Sequence, residues 1–166
     1  MRRVGILTIS DRAAAGDYAD ESGPAAAAAV TAATGWPIER QAIIPDDFDA
    51  IVRALRQWCD DGLELLLTSG GTGFAPRDVT PEATRVVIER DAPGIAEALR
   101  AESLHVTRHA MLSRGVAGLR GQTLIINLPG NPKAVRENLD VLLPVLPHAL
   151  DLLTARPESG QGHREV

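Results

Sequence analysis

The chain has 166 residues, a length that suits one domain and can bury a core without disulfide or metal staples. Its 45% hydrophobic and 23% charged residues are those of a globular protein, and a net charge of −5 speaks against broad nucleic-acid binding. Cys59 is the single cysteine, which excludes an intrachain disulfide and a cysteine-based zinc site, and it reads as a small core residue on a helix.

Val4 to Ile9 is apolar on both faces and predicts a central strand. The run is too short for a signal-peptide core and stops at Ser10-Asp11-Arg12. No other stretch is long enough to span a membrane, so a cytoplasmic protein is expected. Polar residues at the end of a buried parallel strand stand where open α/β sheets bind ligands. Ser22-Gly23-Pro24 opens a helix that carries alanines 25–29 and stops at Gly35. Ile38 to Ile44 predicts a second strand, ended by Pro45. Asp46 or Asp47 would cap the helix that follows, whose apolar positions Phe48, Ile51, Val52, Leu55 and Trp58 keep a helical period.

Leu63 to Thr68 predicts a third, buried strand that breaks into Ser69-Gly70-Gly71-Thr72-Gly73. Such glycines let the backbone adopt positive φ and approach a ligand, and inward-turned N–H groups form a nest for phosphate. A Walker loop would need Gly-Lys-Ser/Thr at its end, which is missing. Arg77-Asp78 instead places a cation and a carboxylate beside the loop. Thr80 is predicted to cap a helix from Pro81 to Arg90, and a short helix follows over Ile95 to Leu104. His105 and His109 could lie one turn apart, but a histidine pair with no third ligand reads as two non-ligands.

Met111 to Arg120 predicts a glycine-containing strand and Thr123 to Leu128 another, ending in Pro129-Gly130-Asn131-Pro132. Asn131 would cap a last helix whose N-terminus is a second anion site, with Lys133 in its first turn. Pro144 and Pro147 divide the final helical region, which ends near Leu153. The expected organisation is one domain over residues 1–154 and a polar, disordered tail over 155–166. Strands alternating with helices predict an α/β fold with a mostly parallel sheet. Phosphate-cradling loops and the separated Asp46 and Asp78 point to phosphoryl or nucleotidyl chemistry with Mg²⁺.

Five stretches recur together, in this order and spacing, in one known family. They are Thr8 to Arg12, Ile44-Pro45-Asp46, Ser69 to Gly73 with Arg77 to Thr84, Met111-Leu112-Ser113-Arg114, and Leu128 to Pro132. The chain resembles the molybdopterin adenylyltransferases of the MogA/MoaB type, to which the G domain of gephyrin is related, over roughly residues 4 to 153. The resemblance implies a three-layer α/β/α sandwich and transfer of AMP from Mg-ATP to molybdopterin with release of pyrophosphate. It places the two catalytic aspartates on Asp46 and Asp78, which are also the candidate Mg²⁺ ligands. It places nucleotide binding on Ser69, Gly70, Gly71, Thr72, Gly73, Pro129, Gly130, Asn131 and Pro132, and a pterin-side serine on Ser113. Ser10, Asp11 and Arg12 join Ser113 as candidates for orienting molybdopterin. A homotrimer and hand-over to a molybdate-inserting protein of the MoeA type are further implications. A non-catalytic molybdopterin-binding or scaffold protein of the same fold is the alternative, and a nucleotide or pyrophosphate hydrolase is a second.

Overall fold

The computed structural model describes residues 1–155, so the expected tail beyond Ala155 lies outside the described residues. Six strands form one sheet: β1 (Val4–Ile9), β2 (Ile38–Ile44), β3 (Leu65–Ser69), β4 (Arg90–Asp91), β5 (Ala117–Arg120) and β6 (Thr123–Leu128). Their order is β2-β1-β3-β6-β5-β4. The first four run parallel, while β5 pairs antiparallel with β6 and β4 antiparallel with β5. The sheet is therefore mostly parallel, with an antiparallel margin.

Helices cover both faces, as a parallel sheet requires. The helices are α1 (Asp11–Ala14), α2 (Ser22–Thr34), α3 (Phe48–Asp60), α4 (Thr80–Arg85), α5 (Pro93–Val106), α6 (Pro132–Leu142) and α7 (Leu146–Leu153), with a 3-10 turn over Arg108–Leu112. The two-residue period of the strands sorts the core into two layers. Val4, Ile6, Leu65, Leu67, Leu124 and Ile126 pack with residues of α2, α5, α6 and α7. Leu7, Ile9, Leu66 and Ile125 pack with α3 and α4 through Ile51, Leu55, Trp58 and Ala83.

Several local expectations need correction. The stretch expected as one helix from Pro81 to Arg90 stops at Arg85, and Arg90–Asp91 becomes an edge strand paired with Leu119 and Gly118. Met111 to Arg120 is strand only from Ala117, and its first part closes a 3-10 turn. Thr80 is not a cap: it is the first residue of α4, fully buried, and its hydroxyl donates to the Gly70 carbonyl at 3.0 Å. Of the adjacent aspartates, Asp47 caps α3 by accepting from the Ala50 amide at 2.8 Å, which leaves Asp46 free of that duty.

The ends of the described chain are tied by a buried charge. Arg2 is 5% exposed and donates to Glu64 at 2.8 Å, to Thr154 at 3.1 Å and to the Asp151 carboxylate. Arg2→Ala is expected to cost about 3 kcal/mol in urea unfolding, the lower end for a broken buried pair because Asp151 keeps some solvent. A loss well below 1 kcal/mol would mean that the apolar face of α7, through Leu146 and Leu150, holds the helix alone.

Candidate active site

Parallel strands β2, β1, β3 and β6 end on one edge of the sheet. Beyond those ends lie Pro45-Asp46, Ser10-Asp11, Ser69 to Gly73 and Pro129 to Pro132. The chain leaves β1 toward β2 on one side, and β3 lies on the other. The switch in direction opens a crevice at the β1 and β3 ends, the usual ligand position of such sheets.

The glycine loop is pinned from below. Gly70 donates its amide to the Leu128 carbonyl at 3.2 Å, and the Ser69 hydroxyl donates to the Pro129 carbonyl at 2.8 Å. The Thr80 amide donates to the Gly71 carbonyl at 3.1 Å. Among the described residues, the amides of Gly71, Thr72 and Gly73 donate to no protein group, which leaves three N–H groups for an anion. Gly71 has φ +64°, and a Cβ there would lie 2.3 Å from the Thr80 hydroxyl and 3.0 Å from Asp46 Oδ1. The loop backbone and the Asp46 carboxylate thus meet with no room for a side chain between them.

Asp46 and Asp78 both line a cavity of about 240 Å³, together with Ser10, Ser69, Gly70, Gly71 and Gly130. Each aspartate has one oxygen committed to the backbone. Asp46 Oδ2 accepts from the Asp11 amide at 2.8 Å, and Asp78 Oδ2 accepts from the Ala75 amide at 2.9 Å. Among the described residues, the Oδ1 atom of each accepts no hydrogen bond. Burial pushes the Asp46 carboxyl up, against the Asp11 amide; the Asp11 and Asp78 carboxylates push it further the same way. A cation bound there would relieve that penalty. Two carboxylates with one open oxygen each suit Mg²⁺, which completes its shell with phosphate oxygens and water. Among the described residues, no group of three or more His, Cys, Asp and Glu forms a closed metal site.

Asp11 and Arg12 have other occupations. The Asp11 carboxylate accepts from the Asp46 amide at 3.0 Å and takes a two-pronged pair from Arg77 at 2.8 Å. The Arg77 hydrogen bond holds that carboxyl below the usual range. Asp11 therefore braces Asp46 and does not line the cavity. Arg12 lies over the Tyr18 ring, 5.3 Å from its centre. Ser10 does line the cavity, and its hydroxyl caps α1 by accepting from the Ala13 amide. Asn131 caps α6, and its side chain takes the Lys133 and Ala134 amides at 2.9 and 3.2 Å. Those two amides are consequently not open to a phosphate.

Ser113 lies elsewhere. It lines a second cavity of about 280 Å³ on the other side of the loop, with Thr72, Gly73, Leu99, Arg100 and His109 among its walls. The glycine loop is the partition: Ser69 to Gly71 face the acidic cavity, and Thr72 and Gly73 face the Ser113 cavity. Ser10 and Ser113 are thus not brought together. The residue reading of the sequence missed Arg100 and His109 here, because they come from α5 and the 3-10 turn with no shared motif.

It also missed Asp20, which lines the acidic cavity. Asp20 accepts from the Thr8 hydroxyl, the Ser22 amide and hydroxyl and the Gly23 amide. Burial pushes its carboxyl up, but these hydrogen bonds outweigh it and hold it below the usual range. The Asp-x-Ser-Gly spacing before α2 was the available signal. Cys59 is half-buried, and burial pushes its thiol up, as befits an inert packing residue.

Residues 5–148 match the family model described as a probable molybdopterin binding domain. Gephyrin of Dictyostelium discoideum is 44% identical over 172 residues, covering 97% of this chain and 24% of its own length. The chain thus spans about a quarter of the gephyrin and of the Drosophila melanogaster molybdenum cofactor synthesis protein cinnamon. The molybdopterin adenylyltransferase of Helicobacter pylori is 43% identical over 152 residues, 90% of this chain and 86% of its own. Among solved structures, the molybdopterin biosynthesis enzyme MoaB of Thermus thermophilus superposes with a TM-score of 0.88 at 51% identity, covering 95% of this chain and 99% of that one. With this match spanning the sheet, both cavities and the loop between them, the chain belongs to the molybdopterin-binding-domain family.

Proposed function

We propose that this chain is a molybdopterin adenylyltransferase, which transfers AMP from Mg-ATP to the terminal phosphate of molybdopterin. The observation that carries the reading is the pair of aspartates, each with one tied and one open oxygen, set in one cavity against a glycine loop with unpaired amides. The 43% identical Helicobacter pylori relative bears the name of that activity over most of both chains.

The phosphate of molybdopterin attacks the α-phosphorus of ATP. A P–O bond forms there, the bond to the β-phosphate oxygen breaks, and pyrophosphate leaves with the electron pair. The attacking oxygen is already anionic, so no strong base is required. The barrier lies in bringing anions together, and catalysis is positioning and charge neutralisation. Asp46 and Asp78 would hold Mg²⁺, which when bound would supply part of that neutralisation. The amide of Gly71 binds phosphate oxygens on the acidic side of the loop, and those of Thr72 and Gly73 serve the molybdopterin phosphate on the other side. The nucleotide phosphates occupy the acidic cavity, which brings Ser10 to the nucleotide. The pterin occupies the Ser113 cavity, whose mainly apolar wall with a few polar groups suits a flat heterocycle. Assembly as a homotrimer would draw on exposed apolar side chains such as Val106, Met111 and Leu112. The adenylylated product would pass to a molybdate-inserting protein of the MoeA type in the cytoplasm.

The test mixes the protein with molybdopterin and Mg-ATP and follows adenylyl-molybdopterin by chromatography. Product and pyrophosphate are expected in equal amounts, and ATP is expected to persist without molybdopterin. Tight molybdopterin binding with no product would instead identify a binding protein. ATP loss without molybdopterin would identify a hydrolase.

A further inference from the structure

Arg114 ties down the glycine loop from outside both cavities. Its own amide donates to the Thr72 carbonyl at 2.9 Å. Its Nε donates to the Gly73 carbonyl at 2.7 Å and its Nη2 to the Asp78 carbonyl at 2.6 Å. Its Nη1 donates to the Glu82 carboxylate in the first turn of α4. One residue therefore bridges both ends of the 72–78 segment and the helix that follows.

That segment has little else to hold it. Phe74, Ala75, Pro76 and Arg77 are all exposed, so burial contributes little order. Among the described residues, the other side-chain tie to a distant element is the Arg77–Asp11 pair, whose arginine side chain is 63% exposed and correspondingly screened. Arg114 is only 32% exposed, and its fork matches three acceptors at once. Glu82 is a suitable anchor: burial pushes its carboxyl up, but the Arg114 hydrogen bond and charge outweigh this and keep it ionised.

We propose that Arg114 is a positioning residue for Asp78, a clamp that sets the 72–78 segment so that the Asp78 carboxylate faces the acidic cavity. The inference rests on the reading that Asp78 serves the reaction. Arg114 does not line the acidic cavity and acts through the two carbonyls it holds.

The experiment compares wild type, Arg114→Ala, Arg114→Lys, Asp78→Ala and the Arg114→Ala/Asp78→Ala double variant. Turnover is measured beside thermal unfolding and beside Mn²⁺ binding in the presence of a non-hydrolysable ATP analogue, read by electron paramagnetic resonance. Arg114→Ala and Arg114→Lys should each lower kcat and Mn²⁺ affinity by about 10–100-fold, the usual effect of removing a residue that orients a metal ligand. KM for ATP should change little, and the double variant should be no slower than Asp78→Ala, because the clamp acts only through Asp78. Arg114→Lys keeps a cation against Glu82 but cannot span the two carbonyls, so it carries the test if Arg114→Ala fails to fold. Normal turnover and Mn²⁺ affinity in Arg114→Lys would overturn the clamp and leave a charge pair. A further loss in the double variant would show that Arg114 acts apart from Asp78. Full activity in Asp78→Ala would instead defeat the reading of the site itself.

Discussion

Asp78→Asn is expected to lower turnover at saturating Mg-ATP by at least about a hundredfold, the scale on which loss of a charge-stabilising group acts. The proposed reaction joins two groups of phosphate anions, and among the described residues the acidic cavity has no lysine or arginine in its lining to neutralise them. In that reaction a bound cation would neutralise charge alongside the loop amides, and Asp78 offers it one open oxygen. Asparagine keeps an acceptor for the Ala75 amide and loses only the charge. Stability should therefore stay within about 1 kcal/mol of wild type, the worth of one ordinary hydrogen bond. Asp46→Asn separates in the same way, since the amide oxygen still accepts from Asp11. Adenylyl-molybdopterin formation at several Mg²⁺ concentrations is the measurement. Near-normal turnover in either variant removes that aspartate from the mechanism, and recovery at high Mg²⁺ identifies a weakened metal site.

The parts of this molecule that local chemistry determines were legible in the sequence. The limits of β2 and β6, and the Asn131 cap with Pro132 opening α6, stand as the sequence predicts them. Each is set by residues close in the chain: a proline stop, an apolar run, a side chain two and three residues from the amides it caps. The misreadings have a common cause in long-range pairing. Val86, Val87 and Ile88 are β-branched and weaken the helix, and the Glu89 amide and β4 bond to β5, some thirty residues on, so that pairing ends it. Asp46 and Asp47 could not be told apart locally, because the Asp46 backbone and side chain are claimed by Asp11 across the neighbouring strand. The acidic cavity was legible where its loops follow strands, and was missed at Asp20, which follows α1. The Ser113 cavity was not, since its wall is gathered from α5, the 3-10 turn, β6 and α6, stretches far apart in the chain that share no motif.

Gly70→Ala should be the most destabilising single-methyl change at the site, by about 3 kcal/mol or more. Gly70 has φ +102°, and a Cβ there would lie 2.2 Å from the Ile9 carbonyl oxygen. That oxygen cannot retreat, because β1 is paired on both sides, with β2 and β3. The loop cannot retreat freely either, because Gly70 donates to Leu128 and accepts from Thr80. Gly16 supplies the control, since it also has positive φ, +79°, but a Cβ there meets nothing within 4 Å. Gly16→Ala carries the backbone penalty alone, about 1–2 kcal/mol. The difference between the two variants in urea unfolding measures the contact with β1. For a chain of this size 3 kcal/mol corresponds to a fall in Tm of roughly 6–12 °C. Turnover of the folded fraction should fall as well. The backbone of Gly130 packs on Gly70, with only 3.4 Å from a Cβ built on Gly130 to the Gly70 Cα, so a displaced loop moves both phosphate-facing segments together. Equal costs at Gly16 and Gly70 would mean that the loop yields without resistance. A loop that yields would not hold three amides and two carboxylates in register for phosphate transfer, and preorganisation would then have to come from the bound nucleotide.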